Sequence, residues 1–258
     1  MKFPLALIAA IVTLPAFSES NQEMPSPSPI DSFYIPMKNT LIISPKIGLG
    51  KSEQHTPNMT SSELIKEGGL DLTYALSDRL SFSLGQNFAS IEEDATKNKR
   101  NGVDNPQFGL LFSQKKDELL LNGRFDASIV SGSKAIRKAE NTFALTGSIS
   151  HMKNAARYGI AASINHSSDA DSAAGFQGDV YIQYFINPKH AIKGTAGFAV
   201  RNEKKSDTSQ SLFGLNYSFA PNPSNLLDIQ ISLDSKSNDD DHDFAHRNFG
   251  LTYSYILQ

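Results

Sequence analysis

The 258-residue chain contains no cysteine and no tryptophan. Without cysteine it has neither a disulfide framework nor a thiolate metal site. Neither sign of charge dominates, because 24 Lys and Arg residues stand against 27 Asp and Glu residues and leave a formal net charge of −3. This balance favours neither a nucleic acid nor an anionic membrane surface as a partner. The one long apolar run is shorter than the ~20 apolar residues that a membrane-spanning helix needs.

That apolar run lies at the N-terminus and has the features of a secretory signal. Lys2 precedes the apolar stretch 4–14, and Ala16 and Ser18 are small residues at the −3 and −1 positions of a cleavage site. A short basic start, a short apolar segment and small residues before the cut are typical of a cleaved signal peptide. We therefore predict a signal peptide over residues 1–18, with a membrane anchor as the alternative, and a mature chain outside the cytoplasm.

The next segment, residues 19–38, is polar and carries the sequence Pro25-Ser-Pro-Ser-Pro29. Repeated proline favours extended backbone without hydrogen-bonded partners. We therefore predict a Pro/Ser-rich periplasmic linker over residues 19–38. A ligand for a partner protein is the alternative.

From Thr40 to the C-terminus, apolar and polar side chains alternate along about twelve segments. A period of two is typical of β-strands whose two faces have different surroundings. Examples of the apolar stripes are Leu70, Leu72, Tyr74 and Leu76 in the second segment and Phe213, Leu215, Tyr217 and Phe219 in the tenth. Pro45 lies inside the first segment and predicts a bulge or a shortened strand there, because proline cannot donate a hydrogen bond to a neighbouring strand.

The connections between these segments alternate in length. Tight turns near 77–78, 114–117, 152–155, 187–189 and 220–224 alternate with longer polar loops over 52–64, 89–104, 131–140, 167–173, 202–209 and 235–244. Such an alternation is typical of barrels that are inserted from the periplasm, with the long loops outside and both termini periplasmic. We predict an all-β fold, a single closed antiparallel transmembrane β-barrel of about 12 strands over residues 39–258.

The face opposite the apolar stripes carries polar groups in the middle of the segments. The residues predicted to line a lumen are Lys46, Asp71, Arg124, Asp126, Asp179, Gln183, Lys193, Asn216, Asp228 and Gln230. Burial of such groups in a dry core without partners is costly, whereas an aqueous or hydrogen-bonded lumen accommodates them. The charges nearly balance, so we predict no strong ion selectivity. A soluble β-sandwich or calyx with the apolar stripes inside is the alternative fold.

The C-terminal stretch 248–258 is an alternating segment with ring side chains on its apolar face. Asn248, Gly250, Tyr253 and Tyr255 occupy the places of the pattern polar-x-Gly-x-x-aromatic-x-aromatic. The stretch resembles the closing strand of bacterial outer-membrane β-barrels, in which this pattern is the assembly signal. The resemblance implies a location in the outer membrane of a Gram-negative bacterium. It also implies contact with outer-membrane lipid and lipopolysaccharide, and the barrel-assembly machinery as a partner.

The overall layout from Thr40 to the end is similar to that of small transporter and porin-like barrels. This resemblance implies passive movement of small polar solutes through the lumen, with the loops filtering access. A second hypothesis is an outer-membrane lipid hydrolase, and a third is a non-conducting structural or surface-binding barrel. Fold-level similarity alone does not decide among these functions.

The hydrolase hypothesis depends on the stretch His166-Ser167-Ser168 at the outer end of the seventh segment. His166 and Ser168 have the parity of the lipid-facing residues, and a serine hydroxyl can meet an imidazole base at this spacing. The stretch is similar to the His-x-Ser-Asn of outer-membrane phospholipases and lipid A deacylases. Asp169 stands where that family has Asn, and Asn141 on the neighbouring segment is the candidate for the orienting group. A polar loop edge explains the same residues without chemistry, so we do not predict an enzyme.

A run of acidic residues near the C-terminus is the candidate metal site. Asp239, Asp241 and Asp243 carry carboxylates of the kind that hold Ca²⁺, but the run lacks the fixed spacing and the glycine of a calcium loop. The chain also has no phosphate-binding glycine motif and no nucleotide fingerprint. We therefore predict a solvated external loop, no metal, no cofactor and no nucleic-acid partner.

Overall fold

The computed structural model describes residues 29–31, 36–56, 59–134, 136, 140–168, 172–203, 207–238 and 243–258. The predicted signal peptide 1–18 lies outside these ranges. Thirteen β-strands form in the described part of the chain: β1 (Leu41–Thr56), β2 (Met59–Ser77), β3 (Leu80–Glu93), β4 (Lys99–Val103), β5 (Gln107–Lys116), β6 (Leu119–Ser128), β7 (Thr142–Lys153), β8 (Ala156–Ser167), β9 (Ser172–Asn187), β10 (His190–Glu203), β11 (Asp207–Asn222), β12 (Asn225–Asn238) and β13 (Asp243–Leu257). No helix in these ranges has the length and apolar character to cross a membrane.

The strands close into one antiparallel barrel. Each strand from β5 to β13 pairs with the next in sequence, β13 pairs with β1, and β1 and β2 lead to β3. Both β4 and β5 pair with β3, through different parts of it, so they are the two halves of one interrupted strand. The barrel therefore has twelve positions around its circumference, and the predicted closed barrel of about 12 strands is confirmed.

The interruption between β4 and β5 falls at residues 104–106, which read Asp-Asn-Pro. Pro106 has no N–H to donate to β3. The register with β3 shifts by one residue across the break, from Phe88 opposite Val103 to Gly85 opposite Gln107. The extra residue lets the chain turn locally without opening the barrel wall.

Pro45 has a smaller effect than the sequence predicts. Strand β1 continues through it, and the register with β13 is the same on both sides, from Ile43 opposite Tyr255 to Lys46 opposite Thr252. The prediction of a bulge or a shortened strand is therefore wrong. The missing donor removes only the local pairing with β13, where the hydroxyls of Ser44 and Ser254 are hydrogen-bonded at 2.8 Å instead.

The apolar stripes lie on the outside of the barrel. Ile47 and Leu145 are both 61% exposed and Ile160 is 57% exposed. A soluble sandwich or calyx would not expose such large apolar side chains around its whole circumference. The outer surface also has exposed tyrosine side chains near the tight turns: Tyr74, Tyr158, Tyr184, Tyr253 and Tyr255. Tyrosine girdles are found where a membrane meets water. We therefore treat the barrel as membrane-spanning, with the exposed apolar residues as its outer belt.

Several strands extend well beyond the outer belt. Strand β2 has 19 residues and β1 has 16, although about 9–11 tilted residues cross the hydrocarbon. Much of the predicted loop 52–64 is therefore a continued hairpin of β1 and β2. The physical reason is that backbone pairing does not need apolar side chains, so the hairpin continues with polar and charged residues such as Lys51 and Glu53 once the belt ends.

Candidate functional site

The interior of the barrel contains a cavity of about 430 Å³. Residues from eight strands, β5 to β12, line it, and most of them are polar or glycine. The lining includes Ser113, Asn122, Arg124, Thr146, Ser148, Gln177, Asp179, Lys193, Thr195, Gln230, Ser232 and Asp234. These residues share one face of their strands because successive side chains alternate between the two faces, and the other face carries the outer belt. A polar cavity inside an apolar belt is the candidate functional site.

Four of the residues predicted to line the lumen surround this cavity: Arg124, Asp179, Lys193 and Gln230. Arg124 makes an ion pair of 2.7 Å with Asp126, another predicted lumen residue two positions along β6. The Lys193 ammonium lies 5.1 Å from the ring centre of Tyr181, a cation–π distance. The cavity wall thus holds charges of both signs, and part of them is already paired.

Two other predicted lumen residues, Asn216 on β11 and Asp228 on β12, are diagonal neighbours, since Asp228 is opposite Ser218. The Asp228 carboxylate accepts a hydrogen bond of 2.5 Å from the Ser218 hydroxyl and one of 3.3 Å from the Asn216 amide. The Asn216 amide also donates to Ser218 Oγ at 3.2 Å. This cluster anchors the carboxylate to the wall and reduces its reach into the cavity.

Lys46 and Asp71 lie on the remaining wall, on β1 and β2. The Lys46 ammonium donates to both carboxylate oxygens of Asp71, at 3.0 and 2.8 Å. The side chains are 28% and 35% exposed, so the pair is partly solvated. Gly85 on β3 leaves room for the carboxylate, because a Cβ there would lie 2.5 Å from Asp71 Oδ1.

Gln183, the last of the predicted lumen residues, is fully covered. It lies at the end of the barrel that carries the tight turns, and its Nε2 donates to the backbone carbonyl of Ile30 at 2.5 Å. Beside it, Arg157 on β8 makes an ion pair of 2.6 Å with Asp31. Residues 29–31 of the predicted linker therefore lie inside the barrel, although the Pro/Ser-rich composition gives no signal for this. The inward parity of Arg157 could have placed it on the lumen face.

At the opposite end of the barrel, the described start of the connection between β6 and β7 lies against the wall. Asn105, only 2% exposed, accepts hydrogen bonds of 3.2 Å from the backbone N–H groups of Ser131 and Gly132. The Ser133 hydroxyl accepts a bond of 3.0 Å from the backbone of Val103 at the end of β4. The start of this connection is thus fixed against the inner face of the interrupted strand.

The residues of the hydrolase hypothesis lie at the end of the β7–β8 pair opposite its tight turn. The backbone N–H of Asn141 donates to the Ser168 hydroxyl at 2.9 Å, and the N–H of Ser168 donates to the Asn141 carbonyl at the same distance. The Asn141 side chain accepts from the backbone of Val130 at 2.8 Å. Among the described residues, the His166 imidazole has no hydrogen-bond partner, so the structure does not bring an imidazole–hydroxyl pair together here. Ser168 and Asn141 instead form hydrogen bonds that hold together the ends of β7 and β8.

The residues of the predicted assembly signal lie on β13, which pairs with β12 and β1 along its length. Asn248 and Gly250 have the inward parity, while Tyr253 and Tyr255 are each 44% exposed on the outside. Of the predicted carboxylate site, Asp239 and Asp241 lie outside the described residues, and so does the side chain of Asp243. The described residues contain no cluster of potential metal ligands.

Comparison with known proteins identifies the fold. No protein-family model matches the chain, and neither does any curated protein. An outer-membrane channel from Pseudomonas putida F1 matches with a TM-score of 0.73 at 11% identity, over 93% of this chain and 100% of that chain. The KdgM porin in complex with disordered oligogalacturonate matches with a TM-score of 0.52 at 7% identity, over 82% of this chain and 99% of that chain. The chain therefore has the fold of bacterial outer-membrane β-barrels.

Proposed function

We propose that the protein is a passive channel for small polar solutes in the outer membrane of a Gram-negative bacterium. The observation that carries the proposal is the polar cavity enclosed by the outer belt. A barrel of twelve strands lies between the packed eight-stranded barrels and the open porins, so its bore suits small solutes. The similarity to an outer-membrane channel and to a porin supports the same function.

The lumen is suited to neutral or weakly charged solutes. Hydroxyls and amides from many strands provide hydrogen-bond donors and acceptors around the cavity. Its cations face carboxylates of comparable number, and pairs such as Arg124–Asp126 screen one another. A polar solute can therefore exchange hydrogen bonds with water for hydrogen bonds with the wall, without a strong field that selects one sign of charge.

Conductance across a planar bilayer tests the channel function. The refolded protein should give discrete current steps in KCl, and a salt gradient should produce a reversal potential near zero because the lumen charges balance. Liposomes that carry the protein should swell in an isosmotic solution of a small neutral sugar. Silence at every voltage, together with no swelling, would contradict the proposal.

We also propose that the tight turns face the periplasm and that the long hairpins face outward. A basic cluster supports this orientation. Lys51, Lys66 and Arg247 lie on the outer face just beyond the belt, since Lys66 is opposite the exposed Leu49 and Lys51 is opposite Arg247. Phosphate groups of lipopolysaccharide would lie at this level, and Lys and Arg bind phosphate well. Glu53, 2.9 Å from Lys51, neutralises part of the cluster.

The absence of cysteine makes the orientation easy to test. Thr96→Cys places a thiol in a long connection, and Asp117→Cys places one in a tight turn. A membrane-impermeant maleimide applied to intact cells should label the first variant and leave the second unlabelled until the outer membrane is permeabilised. The reverse pattern would show that the barrel is inserted the other way round.

A further inference from the structure

Residues 29–31 occupy the lumen at the tight-turn end, and their apolar contact is extensive. Ile30 is 1% exposed and packs against the inward-facing Phe185, Ala191 and Ala220 of β9, β10 and β11. Met152 of β7 and Leu226 of β12 pack against the same cluster, at its edge. This apolar cluster is unusual for a lumen that is otherwise polar. Without Ile30 it would expose its apolar surface to water, which is unfavourable.

Polar contacts fix the same residues in place. Asp31 makes the 2.6 Å ion pair with Arg157, and the two side chains are 18% and 7% exposed. Arg157 also donates to the Ser150 hydroxyl at 3.2 Å. Gln183, 1% exposed, donates to the Ile30 carbonyl. A buried guanidinium is costly without a carboxylate partner, so the wall of the barrel provides a site that Asp31 completes.

We propose that residues 29–31 are a plug that binds at this site, closes the lumen and must leave before solutes can pass. The inference rests on the proposed channel function and adds a mechanism of closure. The cluster that contains Ile30, together with the partners of Asp31, is built from six consecutive strands, β7 to β12, which is half of the barrel circumference. Its site has two parts. One is an apolar pocket that holds the Ile30 side chain, and the other is a polar part in which Arg157 binds the Asp31 carboxylate and Gln183 binds the Ile30 carbonyl.

Cross-linking tests whether the plug is bound in membranes. Ile30→Cys combined with Ala191→Cys gives the only two thiols of the chain, on side chains that belong to one cluster. Oxidation should join them, as the mobility of the unfolded chain on a gel will show, and Ile30→Cys combined with Ser113→Cys, on β5, should stay unjoined. Absence of the first cross-link in membranes would overturn the proposal.

Conductance of the same variant tests whether the bound plug closes the channel. The oxidised protein should be silent, and dithiothreitol should restore brief openings. A fully cross-linked protein that conducts as well as the reduced protein would show that the plug binds without obstruction and would overturn the proposal.

Single substitutions in the plug provide a test without cross-linking. Asp31→Asn removes the ion pair and should raise the open fraction at least about tenfold, since a buried pair that loses one partner is strongly destabilised. Asp117→Asn is the matched control, because it removes the same charge at the same end, and asparagine tolerates the positive φ of 54° there. The double variant Asp31→Arg with Arg157→Asp should recover closure.

Failure of the plug and failure of the channel function give different results. If wild type, Asp31→Asn and the reduced cysteine variant all conduct to the same extent, the plug is wrong and the channel stands. If none of them conducts or swells liposomes, the channel function is wrong, whatever the cross-link shows. Because Ile30 and Asp31 precede the first strand, their substitution leaves every strand of the barrel unchanged, even if the Arg157 variant does not fold.

Discussion

Replacing Ile160 by arginine places a charge in the outer belt, one outward-facing position beyond the girdle residue Tyr158. Ile160 lies on β8 between Ile149 of β7 and Val180 of β9, and the three side chains are 57%, 40% and 53% exposed. An arginine on the lipid face of a transmembrane barrel costs about 2–4 kcal/mol at the bilayer midplane and about 0–1 kcal/mol near the interfaces. Ile160 lies between these depths, two residues along β8 from the girdle residue Tyr158. We therefore expect a cost of about 1–2 kcal/mol, and at 1.36 kcal/mol per tenfold change the folding equilibrium should fall by roughly 5-fold to 30-fold.

The neighbouring residue Ala161 is the matched control. It lies on the same strand and lines the cavity, so an arginine there meets water and polar side chains. Ala161→Arg should therefore cost much less than Ile160→Arg. The assay is urea titration in lipid vesicles, followed by the different gel migration of folded and unfolded barrel, because the chain has no tryptophan to report folding. Equal costs, or a greater cost at Ala161, would refute the assignment of the two faces.

Three further predictions concern two residues of the lumen wall and the serine of the hydrolase hypothesis. Gly159→Ala should lower the free energy of unfolding by about 1–3 kcal/mol in the same titration, because the new Cβ would lie 2.0 Å from the Tyr181 hydroxyl. Gly147→Ala is the control and should be nearly neutral, since its Cβ would meet nothing within 4 Å. Lys193→Gln should move the reversal potential in a KCl gradient toward cation preference, since the cavity loses one positive charge; an unchanged potential would mean that ions do not pass this residue. Ser168→Ala should leave acyl release from detergent-dispersed phospholipid at the wild-type level, and a clear loss of acyl release would revive the hydrolase hypothesis.

The strands and their faces could be predicted because alternation is a local property of the sequence. Along β11, Phe213, Leu215 and Tyr217 alternate with glycine and polar residues, and the structure places the apolar set outside. Residues that are paired across two strands point to the same side of the sheet. A correct assignment of the outer face on one strand therefore fixes the outer face of its neighbour. The number of strands followed from the turns between the apolar segments.

Strand length and the plug could not be predicted, for two different physical reasons. Backbone pairing continues past the belt without an apolar signal, so β2 extends far into a predicted loop. The burial of Ile30 and the ion pair of Asp31 depend on a pocket assembled from six strands, which no local pattern in a Pro/Ser-rich segment reports. The prediction of a bulge or a shortened strand at Pro45 was wrong because one missing N–H donor between β1 and β13 does not require a change of register.

The unequal strand lengths make the edge of the barrel opposite the tight turns oblique. Strands β6, β7 and β8 have 10, 12 and 12 residues, whereas β1 has 16 and β2 has 19. With a rise of about 3.3 Å per residue, the strands β6–β8 are shorter than those of the opposite hairpin by roughly one to three nanometres along the strand direction. The hydrogen-bonded wall therefore has an oblique edge, and it reaches least far beyond the outer belt along β6–β8.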